Sequence, residues 1–349
     1  MLCQLLLSAW GLPGIRAKSS HAERADDGIS LDTLPLAVRD AGVAAFGSIS
    51  ALAAILKKTR VRQLRTLDGA VTLQLASIDG DKSVSHLRRE MRSDRYEVLK
   101  LRDDGGDGCV VDVGANLGYL SLTVAKLYPR MRVLSIEPTP PTFFLLLVNL
   151  HLNRVPILSP LTFIARDARG VLPLHAATGG ASTRANDTVV MHFPVGGGDS
   201  QLAMAAQGAA AWQPKGGFRA QSVPLVSLPS YLEAMGVHTI QLLKIDCEGC
   251  EWAALSSLRD WLTPPVTTPG LKLRFWRWPS WWPYRPRIER LVGELHVGPL
   301  EPDYDFELRR KSGRPVVRPE VTLLFETVRA LSLRGCTLGL PNGVWLDSC

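Results

Sequence analysis

Cysteine is scarce: six residues in a chain of 349, at positions 3, 109, 247, 250, 336 and 349. So few over such a length exclude a scaffold built on disulfides. Cys247 and Cys250 form a C-x-x-C, but no second such pair and no nearby pair of histidines accompanies it. The ligand set of a structural zinc site is therefore missing, and no metal is expected. Charged residues are modest at 21% and aromatics at 7%, against 46% hydrophobic. That balance is of a globular chain with a real core and excludes a largely disordered one. No internal repeat is present.

A membrane-length apolar run is lacking too. Leu2 to Pro13 has the length of a signal-sequence core, but no basic residues precede it and the cleavage pattern is weak. Ala41 to Leu56 is apolar over 16 residues, where a span needs about 20. Its Ala and Gly content predicts a single buried or amphipathic helix; a signal anchor is the second reading. The net charge of +7 permits an acidic partner without demanding one. It is concentrated at 57–65 and 272–290.

The chain divides into a leader and helix over 1–56, a polar lead-in over 57–108, and an α/β domain over 109–349. Cys109 to Val113 is a short β-branched run ending at Gly114, the pattern of a buried parallel strand. A helix over Leu117 to Leu127, a strand over Arg132 to Ile136 and a helix over Pro141 to Leu152 follow. Leu161 to Ala165 reads as the third strand. This alternation implies a mostly parallel sheet with helices on both faces. Residues 166–228 break the rhythm with short strand-like pieces, including Val171 to His175, and predict a β-rich insertion. The α/β pattern resumes with a strand at Ile240 to Ile245, a helix at Trp252 to Leu262 and a strand at Glu289 to His296. A helix at Val321 to Leu333 and closing strands after Cys336 are also expected. A second insertion spans 263–288.

The turn Asp112-Val113-Gly114-Ala115-Asn116-Leu117-Gly118 joins the first strand to its helix. Ligands of open α/β sheets bind at such carboxyl ends. A dinucleotide turn wants G-x-G-x-x-G, but here the three positions hold Gly114, Asn116 and Tyr119. Two glycines are missing, so a pyrophosphate has no close approach. S-adenosyl-L-methionine has no phosphate and needs none. Asp112, Gly114, Asn116 and Gly118 are its candidate binding residues. Glu137, at the end of the second strand, is placed to accept hydrogen bonds from two ribose hydroxyls. Three carboxylates, Asp246, Glu248 and Glu251, follow the strand at 240–245 and face the same rim.

"VVDVGANLGYLSL" at 110–122, "IEP" at 136–138 and "LKIDCEGCEWAAL" at 243–255 together resemble the FkbM-type methyltransferases. The resemblance covers roughly residues 95–300, with a lead-in at Tyr96-Glu97. It implies a class I methyltransferase, Rossmann-like sheet of seven strands, and activity on hydroxyls of sugars or natural products. It also implies that Cys247 and Cys250 fill variable positions. Two departures bear on the substrate side: Ser227-Leu228-Pro229 stands where T-L-D is usual, and 263–288 is an unusual insertion.

Methyl transfer needs an acceptor oxygen held in line and relieved of its proton. Asp246 is the first candidate for that role and for cofactor contact, Glu248 the second. His296 is a further candidate base, because imidazole titrates near neutrality. Glu251 either caps its helix or joins the site. Trp276, Trp278, Trp281 and Trp282, with the arginines and lysines of 272–290, could stack on a glycan or sit at a membrane interface. The expected partner is a small-molecule or glycan acceptor. Nucleic acid is disfavoured, since no N-P-P-Y-type motif occurs. Membrane association through 1–13, 41–58 or 272–290 is an open alternative, as is a non-catalytic binding protein that uses 272–290 as its contact surface. The compartment is not legible.

Overall fold

A computed structural model describes residues 29–79, 83–92, 94–103, 108–165, 167–180, 182–194, 218–247, 250–262, 287–294, 337–339 and 345–347. The segment Leu2 to Pro13, the helix at Val321 to Leu333, His296, Glu248 and the tryptophans of 276–282 lie outside them.

Helices α1 (Leu36–Phe46) and α2 (Ile49–Lys58) lead into the hairpin β1 (Thr59–Thr66) and β2 (Val71–Ile78), then α3 (Ser83–Arg92). The sheet strands are β3 (Gly108–Val113), β4 (Arg132–Ile136), β5 (Gly170–Leu174), β9 (Thr239–Ile245), β10 (Arg287–Ile288), β11 (Leu291–Glu294), β12 (Thr337–Gly339) and β13 (Trp345–Asp347). Between them lie α4 (Tyr119–Leu127), α5 (Pro140–Leu152), α6 (Pro160–Ile164), α7 (Leu228–Ala234) and α8 (Glu251–Leu262). Strands β6 (Ala177–Gly179), β7 (Thr188–Pro194) and β8 (Phe218–Ser227) form a separate three-stranded sheet in the order β6-β8-β7.

The main sheet runs β13-β12-β11-β9-β3-β4-β5, with β10 beside β9 off that path. Every pairing along it is parallel except β12 with β13. This is the mixed α/β fold with a parallel sheet that the alternation predicts. Arg287 pairs with Thr239 and Leu291 with Leu243, so β10 and β11 hold one register against β9 and are two pieces of one line. Side chains alternate between two cores. Val110, Val133 and Leu242 point to the side of α4 and α5. Val111, Leu134 and Leu243 point to the side of α7 and α8.

Three expectations need correction. Residues 160–164 are a helix rather than a strand. Ser159 and Thr162 form a capping box there and Pro160 sits at the first turn, so the local hydrogen bonds favour the helix. The third sheet strand is β5, paired with β4, so residues 170–174 belong to the main sheet and not to the expected insertion. The apolar run 41–56 is two helices, because Gly47 ends α1 with φ 86° and Ser48 caps α2. No single helix among the described residues is long and apolar enough to cross a membrane. The pair α1 and α2 meets that test together but bends by 97°.

Helix α5 is apolar nearly all round because it is covered on both sides. It packs on the sheet, and Phe144 meets Phe46 of α1 edge-on at 5.6 Å. Asn149 and the C-cap Asn153 act as a substitute strand. Asn149 bonds both the N–H and the carbonyl of Ala76, and Asn153 does the same for Gln74. The open edge of β2 is thereby satisfied.

Candidate active site

The turn after β3 is built by two left-handed glycines and one left-handed asparagine: Gly114 (φ 74°), Asn116 (φ 51°) and Gly118 (φ 82°). A methyl group at Gly114 would stand 1.8 Å from the carbonyl oxygen of Asp246. The absent side chain is what lets the ends of β3 and β9 touch. At Gly118 the obstruction would be Leu146 of α5, at 2.2 Å. The N–H groups of Gly114 and Ala115 both donate to Ile136, which locks the turn to the end of β4.

Glu137 is buried at that junction. Its Oε2 accepts from the Asn116 N–H at 2.9 Å and its Oε1 from the Thr139 N–H at 2.8 Å. Burial raises its carboxyl pKa above the ordinary 4.5, and the two backbone donors only partly oppose that. The Thr139 side chain is a third hydrogen-bond partner of this carboxyl.

Asp112 lies between β4 and β9 in register, opposite Ser135 and Lys244. Its side chain is 1% exposed. Oδ2 accepts from Ser121 at 2.6 Å, and Ser121 also bonds Ser135. Oδ1 has no hydrogen-bond partner within bonding distance, but the Lys244 ammonium stands 3.5 Å away. Lys244, 7% exposed, also approaches Asp246 Oδ2 at 3.8 Å. It donates to the Gly114 carbonyl at 2.6 Å. One buried cation thus ties both acidic strand ends to the glycine turn. The Tyr96 hydroxyl donates to Asp246 Oδ2 at 3.3 Å, and its ring lies under the Lys244 ammonium at 5.9 Å.

Tyr96 comes from the lead-in, where Asp94 (φ 52°) and Glu97 (φ 56°) bracket it in left-handed backbone. The Asp94 carboxylate holds that turn by accepting from the N–H groups of Val98 and Leu99. Arg102 then clamps Glu289 with two contacts of 2.8 Å, and Arg290 approaches Glu97 at 3.9 Å.

The candidates Asp112, Gly114, Asn116, Gly118, Glu137 and Asp246 therefore meet at the carboxyl ends of β3, β4 and β9. Glu251 is a turn cap, accepting from the Cys247 N–H at 3.0 Å. Sequence reasoning missed Lys244 as a hub, and read Tyr96 only as a lead-in. Lys244 had a signal, since a lone charge in an otherwise apolar buried strand needs a partner. Cys247 and Cys250 are joined to each other in a disulfide, which takes both thiolates away from metal binding. Among the described residues no group of three or more potential metal ligands occurs.

Beside these groups, on the α7 and α8 side, lies a narrow cleft, partly open to solvent. Val113, Gly114, Ile136, Pro138, Ala176 to Thr178, Cys247 and Cys250 line it. The cleft lies at the carboxyl ends of the strands, the place where open α/β sheets take their ligands.

Residues 112–267 match the model of the methyltransferase FkbM domain. That match takes in the glycine turn, Glu137, Lys244 and Asp246, and leaves out Tyr96 and Arg290. Parts of the chain are also similar to three curated proteins. "Methyltransferase 1" of Beauveria bassiana is 33% identical over 73 residues, which is 21% of this chain and 28% of that protein. "Methyltransferase sdnD" of Sordaria araneosa is 29% identical over 172 residues, 43% of this chain and 60% of that one. A tRNA(Phe) (4-demethylwyosine(37)-C(7)) aminocarboxypropyltransferase of Pyrococcus horikoshii is 47% identical over 49 residues, covering 14% and 17%. The chain thus spans between 17% and 60% of the length of these relatives. No solved structure matches the chain.

Proposed function

We propose that this chain is an S-adenosyl-L-methionine-dependent O-methyltransferase acting on a hydroxyl of a sugar, glycan or natural product. The observation that carries the reading is the convergence of the 112–118 turn, Glu137 and Asp246 beside one apolar cleft. With β10 and β11 counted as one line, the main sheet has seven lines, which supports a class I Rossmann-like reading of the fold.

The residues present fit the cofactor. The buried Thr178 Oγ1 in the cleft wall has no hydrogen-bond partner, and the remaining lining is mostly apolar. A nucleoside brings what such a slot lacks: a flat apolar body with a few polar edges. Glu137 would accept from the ribose hydroxyls, and Asp112 and the Gly114 turn would lie toward the amino-acid end. Bound there, the cofactor supplies an electrophilic methyl group on a sulfonium.

The chain's own part is positioning and proton handling. Asp246, 18% exposed, would accept the hydrogen bond of the acceptor hydroxyl and then its proton. Tyr96 and Lys244 fix the orientation of its carboxylate through Oδ2. Glu248 and His296 are proposed as further contributors from the same rim. A small-molecule or glycan acceptor is proposed as the partner, with 272–290 as a contact for glycan or membrane.

Titration calorimetry with S-adenosylhomocysteine tests the reading: saturable binding is expected, and none at millimolar ligand would overturn it. Asp246→Asn should keep that binding and lose methyl transfer to a hydroxylated acceptor panel. Near-normal turnover would remove Asp246 from the mechanism.

A further inference from the structure

The Cys247–Cys250 disulfide is not accounted for by the chemistry above. It joins the first residues after β9 to the residue before α8, and both cysteines line the cleft. Each is 4% exposed and packs in the apolar cluster on the α7 and α8 side. Gly114 and Thr178, whose buried hydroxyl has no hydrogen-bond partner, line the same cleft. The α-carbon of Cys247 would be 3.0 Å from a methyl group at Gly114, so this loop and the glycine turn are in contact.

We propose that the disulfide is a wall of a purine-binding cleft, that the Thr178 hydroxyl meets a polar edge of the purine, and that a dithiol reductant weakens nucleoside binding by letting a freed thiol crowd the cleft. The proposal rests on the nucleoside reading above. Reduction breaks one S–S bond. Two electrons and two protons pass from the dithiol to Cys247 and Cys250, and the dithiol closes to its own disulfide. Two thiols no longer bonded must part by about 1.5 Å to reach ordinary van der Waals separation. The packed core behind them resists that displacement. The cleft is the adjoining open volume, so a thiol moves into it and narrows the slot. The loop keeps its second tether, the bond from the Cys247 N–H to Glu251, so the effect stays local. By linkage, a bound nucleoside must in turn protect the disulfide from reduction.

The test is calorimetry of the full chain with S-adenosylhomocysteine, first oxidised and then after dithiothreitol. Alkylation and peptide mapping score the state of Cys247 and Cys250, and far-UV circular dichroism checks the fold. The expected loss of affinity on reduction is between about 5-fold and 150-fold, the range that over-packing a fitted cleft imposes. Reoxidation should restore it. Saturating S-adenosylhomocysteine should slow alkylation at these two positions under limiting reductant. A Cys247→Ser, Cys250→Ser double variant should show the weak affinity with or without reductant, and Thr178→Val should weaken binding in the oxidised state. Equal affinity in the oxidised and fully reduced chain would overturn the gate and leave the nucleoside reading standing. No binding in either state would sink both.

Discussion

Replacing Lys244 with methionine tests the electrostatic centre of the site. Methionine keeps the length and apolar stem but removes the ammonium. The change deletes the 2.6 Å donation to the Gly114 carbonyl, and it leaves Asp112 and Asp246 without the cation that stands 3.5 and 3.8 Å from them. Asp112 is the more costly of the two, because its side chain is almost fully buried and Oδ1 has no hydrogen bond. Stripping one partner from a buried pair costs about 3–5 kcal/mol, since the remaining charge keeps its desolvation penalty. At about 2–4 °C per kcal/mol for a domain of this size, Tm should fall by about 6–20 °C. Urea unfolding at neutral pH measures the loss, and a cycle with Asp112→Asn separates its parts. Lys244→Met on the Asp112→Asn background should cost at least about 1 kcal/mol less than on the wild type, because the stranded charge is gone. A single-variant loss below about 1 kcal/mol, or strict additivity in the cycle, would refute the idea that this ammonium holds the strand ends together.

Gly114→Ala should cost about 2–5 kcal/mol in urea unfolding, because a left-handed φ is combined with a clash against the Asp246 carbonyl. An unchanged midpoint would mean the strand ends are not in contact. Asn149→Leu should cost about 2–5 kcal/mol, since it strands the N–H and carbonyl of Ala76 and the carbonyl of Leu117, and a loss under 1 kcal/mol would contradict the strand-edge role. Glu137 gives a pH signature. Its folded pKa is raised, chiefly by burial, so its contribution to stability is complete below the ordinary 4.5 and is lost as pH rises through the folded value. The stability of wild type minus that of Glu137→Gln should therefore fall as pH rises above 4.5, and a flat difference would contradict the burial. Tyr96→Phe should lower stability by only about 0.5–1.5 kcal/mol in the same assay, since one hydroxyl bond is lost and no cavity opens.

Local signals carried the sheet and its first rim. The turn at 112–118 was legible because glycine and asparagine are the residues that left-handed backbone selects, and they fall directly after an apolar run. Glu137 was legible from its place at the next strand end. The misread strand at 161–165 fails for the complementary reason. Five residues of mixed apolar pattern do not separate a strand from one helical turn, and the deciding contacts are the Ser159 and Thr162 side-chain bonds. The break at Gly47-Ser48 was written in the sequence as a C-cap followed by an N-cap, but the apolar content on either side concealed it.

Long-range contacts could not be read this way. Tyr96 meets Asp246 across 150 residues of sequence, and Arg102 meets Glu289 across 187. No periodicity connects such positions, because they become neighbours only after the parallel sheet sets its strands side by side. The lead-in before β3 is held to the sheet at three places: Tyr96 on Asp246 at the rim, Glu97 beside Arg290, and Arg102 on both Glu289 and Gln241 toward the amino end of β9. It follows that the FkbM match at 112–267 does not bound the site. A chain cut to that match would lose the donor on Asp246 and the ring under Lys244 together. The segment that reads as a polar approach to the domain is part of what orients its central acid.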